Sequence, residues 1–253
     1  MKIARFLHNG KSLYGMVDQK IHPIEGDIFG EFQIGQEGYD PEKIKLLSPC
    51  QPSKVILVGL NYLDHVKESQ SSNVVPEEPV LFMKPSTSVI GPEEVISYPE
   101  EVERLDFEAE LAVVIKDKCK NLSPSSVPEH ILGFTCLNDV TARNLQKKDV
   151  QWTRAKSFDT FCPLGPFIVD KIDLNNSKIE SYLNSKLRQS SNTNQMIFSV
   201  ERIVSLVSQV MTLLPGDVIS TGTPAGVGPM QPGDTVEIFI ENIGTLRNYV
   251  KRV

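Results

Sequence analysis

Short apolar runs rich in β-branched residues recur along almost the whole chain, and they narrow the possible folds more than any other feature. "VILVGL" (55–60), "PVLFMK" (79–84), "EAELAVVI" (108–115), "ILGFTCLND" (131–139), "GPFIVD" (165–170), "DVISTG" (217–222) and "TVEIFIENIGTLRNYV" (235–250) all read as strands. Helical spacing is confined to 141–149, 199–213 and a short piece in "NYLDHVKES" (61–69). Strands therefore outnumber helices, without the regular alternation of a doubly wound sheet, and the fold class expected is α+β, β-rich. The tripeptide Pro-Gly-Asp stands just ahead of two of these strands, at 215–217 and 232–234, where it reads as turn chemistry and not as a repeated domain.

The first residues have a different texture. "KIARFL", "LYGMVD" and "KIHPIEG" are separated by turn dipeptides such as Asn9-Gly10, so residues 1–48 read as a small β-rich domain ahead of a main domain over 49–253. At 253 residues the chain is long enough for that division. The tract "QSSNVVPEEP" (70–79) has no periodicity and reads as a mobile lid.

Net charge is −6, and no stripe of Lys or Arg interleaves with aromatics, so neither nucleic acid nor an anionic membrane is expected as a partner. "MKIARFLHNG" lacks the apolar core of a leader, and no run approaches a membrane span, from which a cytoplasmic protein is expected. Cys50, Cys119, Cys136 and Cys162 are widely spaced with no C-x-x-C, which speaks against a zinc motif or a disulfide framework.

Within "LDFEAELAVVI" (105–115), strand alternation puts Glu108 and Glu110 on one face and Phe107, Ala109 and Leu111 on the other. Two adjacent carboxylates repel. They are either a solvated face, or partners of Lys and Arg, or joint holders of a divalent cation. An isolated pair of this kind is ordinarily solvated. Asp139 changes the balance: it ends the 131–139 run, ahead of a helix that Thr141 can cap. An aspartate there is ordinarily a turn residue, yet with Glu108 and Glu110 it completes three hard oxygen donors suited to Mg²⁺ or Mn²⁺. His65 and Glu68, three apart on a helical face, can hydrogen-bond as a base and its orienting carboxylate, or form an ordinary surface pair. Lys156, in "QWTRAKSFDTFCPLGP", either sits in a loop without a role or stabilises a developing oxyanion beside the acidic group.

"VGLNYLDHVKE", "DFEAELAVVI", "GFTCLNDVTARNLQ", "QWTRAKSFDTFCPLGPFIV" and "LLPGDVISTGTPAGVGPMQPGD", in this order, resemble blocks of the fumarylacetoacetate hydrolase family. The resemblance is especially to its smaller members among acylpyruvate hydrolases, oxaloacetate decarboxylases and homoprotocatechuate-pathway isomerase/decarboxylases of aromatic catabolism. The resemblance runs from about residue 53 to the C-terminus, and the segment before 48 resembles a small N-terminal domain of some members. It implies a mixed β-sandwich roll, usually a homodimer. By position it implies that Glu108, Glu110 and Asp139 bind Mg²⁺ or Mn²⁺, that His65 and Glu68 are an acid/base pair, and that Lys156 lies near the substrate oxyanion. It further implies that Arg143, Gln146 and Thr223 contact substrate, with Lys84 in the pocket wall. Asn144 and Val150 depart from the residues common in relatives.

The substrate so implied is a small 2-oxo acid, whose carboxylate and keto oxygen can chelate a cation and whose enolate then becomes accessible. Three outcomes branch from there: C–C bond cleavage, by decarboxylation or by hydrolysis of a 2,4-diketone, is the expectation, and isomerisation by proton movement, or hydration, of unsaturated 2-oxo-dioates is the alternative. A scaffold that keeps the roll and binds ligand without chemistry is the alternative of another class.

Overall fold

A computed structural model describes residues 1–68 and 75–252; the first half of the expected lid, 70–74, lies outside the described residues. The strand Ala109–Ile115 runs through the middle of the largest sheet. It pairs antiparallel with Ile131–Asn138 on one side and with Val218–Ser220 on the other. Beyond Ile131–Asn138 lies Cys162–Val169; beyond Val218–Ser220 lie Val55–Gly59 and Val80–Lys84. A second sheet contains Lys186–Asn192, Lys178–Leu183, Thr235–Ile240, Gly244–Arg252 and Val95–Tyr98, and a third joins Thr141–Ala142, Leu105–Phe107 and Gly228–Met230.

The N-terminal strands Lys2–His8, Lys11–Val17, Ile21–Gly26 and Phe32–Ile34 prolong the largest sheet. Lys2 faces Val169 and Ile3 faces Ile168 across the junction. Asn9 and Gly10, at φ 48° and 76°, make the two-residue reversal between the first two strands, a conformation that Asn and Gly adopt most readily. At each Pro-Gly-Asp the aspartate closes the turn: Asp217 accepts from Leu214 N–H (2.8 Å) and Asp234 from Gln231 N–H (2.7 Å).

Alternation along Ala109–Ile115 sorts its side chains between two cores. Leu111, Val113 and Ile115 pack with Ile238, Ile240 and Leu246 of the second sheet and with Ile203, Val204 and Val207 of the helix α4 (Val200–Val210). Ala112 and Val114 join Ile3, Val55, Leu57, Leu164 and Val218 on the other face. Every residue of the strand is buried, so it stands between two apolar layers with neither face in water. Helix α4 starts at Ser199, whose Oγ accepts from Arg202 N–H (3.4 Å).

Thr141 does not cap the following helix, Arg143–Lys148. The chain after Asp139 first turns to pair with Leu105 and Asp106, and the Thr141 hydroxyl donates to the Asp139 carbonyl (2.8 Å); Ala142 holds the N-cap position without a side-chain bond. Among the described residues no helix is long and apolar enough to cross a membrane.

Candidate active site

Glu108 interrupts what the sequence presents as one strand, standing between Leu105–Phe107 and Ala109–Ile115. Its N–H donates to Asn138 Oδ1 (3.0 Å) and its carbonyl accepts from Asp139 N–H (2.9 Å), which fixes Glu108 and Asp139 as neighbours at one end of the paired strands. The solvated reading of the acidic pair is overturned: Glu108 and Glu110 are 4% and 1% exposed and Asp139 is fully buried. One carboxylate oxygen from each of the three lies within 4.8 Å of those from the other two.

Cations meet these carboxylates at close range. Lys156 Nζ lies 3.0 Å from Glu108 Oε2 and 2.5 Å from Asp139 Oδ2, and an Arg143 guanidinium nitrogen bonds Glu108 Oε1. Burial alone raises the Glu108 carboxyl, yet Lys156, Arg143 and His65 hold it well below the ordinary carboxylate range. Glu110 behaves oppositely. Burial, then the charges of Asp139 and Glu108, push it well upward, and both its hydrogen bonds, from Ser220 Oγ (2.5 Å) and Gly222 N–H (3.1 Å), go to Oε2. Gly222, at φ 93°, brings its backbone so close that a Cβ would stand 2.8 Å from Asn61 Cβ.

These groups open onto a cavity of about 290 Å³, the size of a small-metabolite pocket, walled on its apolar side by Val58, Phe82 and Trp152. His65, Glu68, Arg143, Gln146, Lys156 and Thr223 all line it, so the cavity brings together nine of the ten residues singled out in the sequence. Lys84 is the exception. Its ammonium is buried beneath the site, 2.8 Å from Asp139 Oδ1 and donating to the carbonyls of Val140, Lys156 and Phe161 (2.7–2.9 Å), so it supports the floor and forms no wall. Among the described residues, none of 1–48 lines the cavity.

The expected bond between His65 and Glu68 is not made. Their nearest atoms, Nδ1 and Oε2, are 3.9 Å apart, and Glu68 Oε2 instead accepts from Gly226 N–H (2.8 Å) in the 221–227 loop. Burial lowers the imidazole's affinity for a proton and so favours the neutral form of His65.

Three further positions emerge only in the structure. Asp106, with no exposure, accepts from Arg104 Nε and Nη2 (2.8 and 3.0 Å) and from Arg143 Nε (2.9 Å), clamping Arg143 so that Nη1 reaches Gln146 Oε1 (2.8 Å). Asp106 shares the alternation of Glu108 and Glu110, and that parity was the available signal. Buried Gln189 accepts from Ala109 N–H (3.0 Å) and donates to Thr223 Oγ1 and Pro224 O (both 2.8 Å), fastening the loop to the acidic strand. Ser220, the third, holds Glu110 as described.

Residues 54–251 match the family model described as fumarylacetoacetate (FAA) hydrolase C-terminal, and residues 1–49 match one described as Rv2993c-like, N-terminal. Oxaloacetate tautomerase Fahd2a, mitochondrial, of Rattus norvegicus is 44% identical over 220 residues, covering 82% of this chain and 70% of that protein. The crystal structure of 5-carboxymethyl-2-hydroxymuconate delta-isomerase from Mycobacterium smegmatis superposes with a TM-score of 0.93 at 41% identity, covering all of both chains. Maleylpyruvate hydrolase from Sphingobium sp. SYK-6, in complex with manganese (II) ion and pyruvate, superposes with a TM-score of 0.83 at 26% identity over 100% of this chain and 99% of that one. A family model spanning most of the chain, and relatives of this similarity over most of its length, show that the chain belongs to the fumarylacetoacetate hydrolase family.

Proposed function

We propose that this protein is a divalent-metal-dependent enzyme acting on small 2-oxo acids. The observation that carries the reading is the buried trio Glu108, Glu110 and Asp139, three hard oxygen donors within 4.8 Å at the floor of a small cavity. The donor set fits Mg²⁺ or Mn²⁺, both of which take carboxylate oxygens and leave positions for water or substrate. A relative bound to manganese and pyruvate supports both the metal class and the substrate class. When bound, such an ion supplies Lewis-acid polarisation of a carbonyl.

The chain's own residues supply the rest. Arg143, held by Asp106, and its partner Gln146 present donors to a substrate carboxylate. The Lys156 ammonium places a positive charge where negative charge develops on the substrate oxygen. His65, neutral and facing the cavity, takes a proton from the substrate carbon and returns it at oxygen, or the reverse. Val58, Phe82 and Trp152 limit water in the site.

Proton relocation, keto–enol tautomerisation or a double-bond shift, is the favoured outcome, because the relatives above 40% identity named here are a tautomerase and an isomerase. Cleavage of a C–C bond, by hydrolysis of an acylpyruvate or decarboxylation of oxaloacetate, is the second reading, supported by the maleylpyruvate hydrolase relative. The deciding experiment follows enol loss from oxaloacetate by ultraviolet absorbance with Mg²⁺ or Mn²⁺, with pyruvate formation assayed in parallel. Acceleration that chelator removes, without pyruvate, is the expected result. Inertness toward oxaloacetate, acylpyruvates and unsaturated 2-oxo-dioates with either metal would overturn the proposal.

A further inference from the structure

The strands Ala109–Ile115 and Ile131–Asn138 carry the carboxylates at one end of their pairing, and a second, chemically different donor group stands at the other. There Asp117, Cys119 and His130 bring one oxygen, one sulfur and one nitrogen donor within 4.8 Å of one another. Burial alternates along 116–120: Asp117 is half-buried and Cys119 buried, while Lys116, Lys118 and Lys120 are exposed. His130 arrives from the opposite arm, just before the Ile115–Ile131 pair.

Cys119 and His130 hang on anchored backbone, and Asp117 stands between the bonded residues Lys116 and Cys119. Lys116 N–H donates to the His130 carbonyl (2.8 Å), and Cys119 exchanges both main-chain hydrogen bonds with Leu213 (3.1 and 2.9 Å). His130 Nδ1 already lies 2.6 Å from Asp117 Oδ1. Cys119 is 6% exposed, whereas the Asp117 and His130 side chains are 45% and 26% open, so the group has a protected sulfur floor and an entrance from solvent. An ordinary Asp–His ion pair needs no thiol beneath it.

We infer that Asp117, Cys119 and His130 form a second cation site, selective for a borderline divalent ion of the zinc class and separate from the carboxylate trio. Thiolate and imidazole favour such ions, whereas Mg²⁺ and Mn²⁺ prefer oxygen. Three protein ligands plus water match the count of an open zinc site. The spacing escapes a search for zinc motifs because Asp-x-Cys and a histidine just ahead of the partner strand replace paired cysteines. The ion takes the place of the proton between Asp117 and His130, the imidazole carries its proton on Nε2, and the thiol proton leaves to solvent. Bound there, the ion ties the base of the two strands whose far ends hold the site described above.

Cobalt tests this directly on the full-length protein in excess Mg²⁺. An all-oxygen site gives no sulfur-to-cobalt charge-transfer absorption, whereas this site gives a near-ultraviolet band that saturates at one equivalent and is bleached by Zn²⁺ but not by Mg²⁺. C119S should abolish the band. H130Q, which keeps the thiol, should weaken cobalt affinity by about ten- to a hundredfold or more, with circular dichroism confirming that each variant is folded. Absence of the band in the parent protein overturns the inference. So does a band that persists in C119S, or an affinity unchanged in H130Q. Should C119S fail to fold, H130Q decides alone.

Discussion

Lys84 Nζ lies 2.8 Å from Asp139 Oδ1, and neither side chain reaches solvent. A buried ion pair of this kind adds little net stability, because desolvating two charges offsets their attraction, but removing one partner strands the other. Lys84→Met would leave Asp139 short of a cation and three carbonyls without their donor. Stability should fall by about 3–5 kcal/mol, read as an earlier midpoint in urea denaturation. A midpoint unchanged from the parent would show that Lys84 does not support the floor.

Ser220 tests how Glu110 is held. Its hydroxyl donates to Oε2 from the adjacent strand, and outer partners of this type orient a ligand and keep it ionised. Ser220→Ala should lower Mn²⁺ affinity by about 10–100-fold in calorimetric titration while the thermal midpoint stays near that of the parent. Undiminished affinity would mean that Gly222 N–H is sufficient to orient the carboxylate.

Much of this site was legible in the sequence, and the limits have a physical origin. Alternation alone placed Glu108 with Glu110, and the strand-to-helix position of Asp139 brought the third oxygen. Burial of the trio was not legible, because it depends on Lys156 and Arg143 arriving from segments 35 to 48 residues away. Lys84 misled for a related reason: the resemblance assigned it to the pocket wall by position alone, and only the fold shows three carbonyls from distant segments closing around it. The His65–Glu68 spacing was right for a contact, but the competing Gly226 N–H, 158 residues further on, takes the carboxylate. Thr141 looked like a cap because local preference ignores the pairing that draws residues 141–142 toward Leu105.

The Glu68–Gly226 bond separates two roles for Glu68. If it serves mainly to join helix Leu63–Glu68 to the 221–227 loop, Glu68→Gln, which keeps an acceptor oxygen, should retain most activity, whereas Glu68→Ala should lose it. If its charge supports His65, both variants should lose activity alike. Steady-state turnover of oxaloacetate enol with the two variants side by side distinguishes them.

His65→Ala removes the base itself. Proton relocation should slow by about 10²–10⁴-fold, while any decarboxylation is spared, because loss of CO₂ needs no placed base. Measuring both reactions on one preparation gives the comparison. An equal fall in both would assign His65 to closing the cavity and not to moving protons.

Ser199 lines no part of the cavity and provides a control free of chemistry. Ser199→Ala should cost about 0.5–2 kcal/mol through the lost bond to Arg202 N–H at the start of α4, with metal affinity unchanged. A shift in Mn²⁺ binding would reveal coupling between α4 and the acidic floor.

The sorting of Ala109–Ile115 between two apolar layers leaves that segment no freedom to change length by a single residue. Deleting one position would exchange odd for even, driving Glu110 into the layer of Leu111 and turning a leucine toward Glu108 and Asp139. Natural variation here should therefore proceed by substitution, with insertions and deletions displaced to the connecting loops.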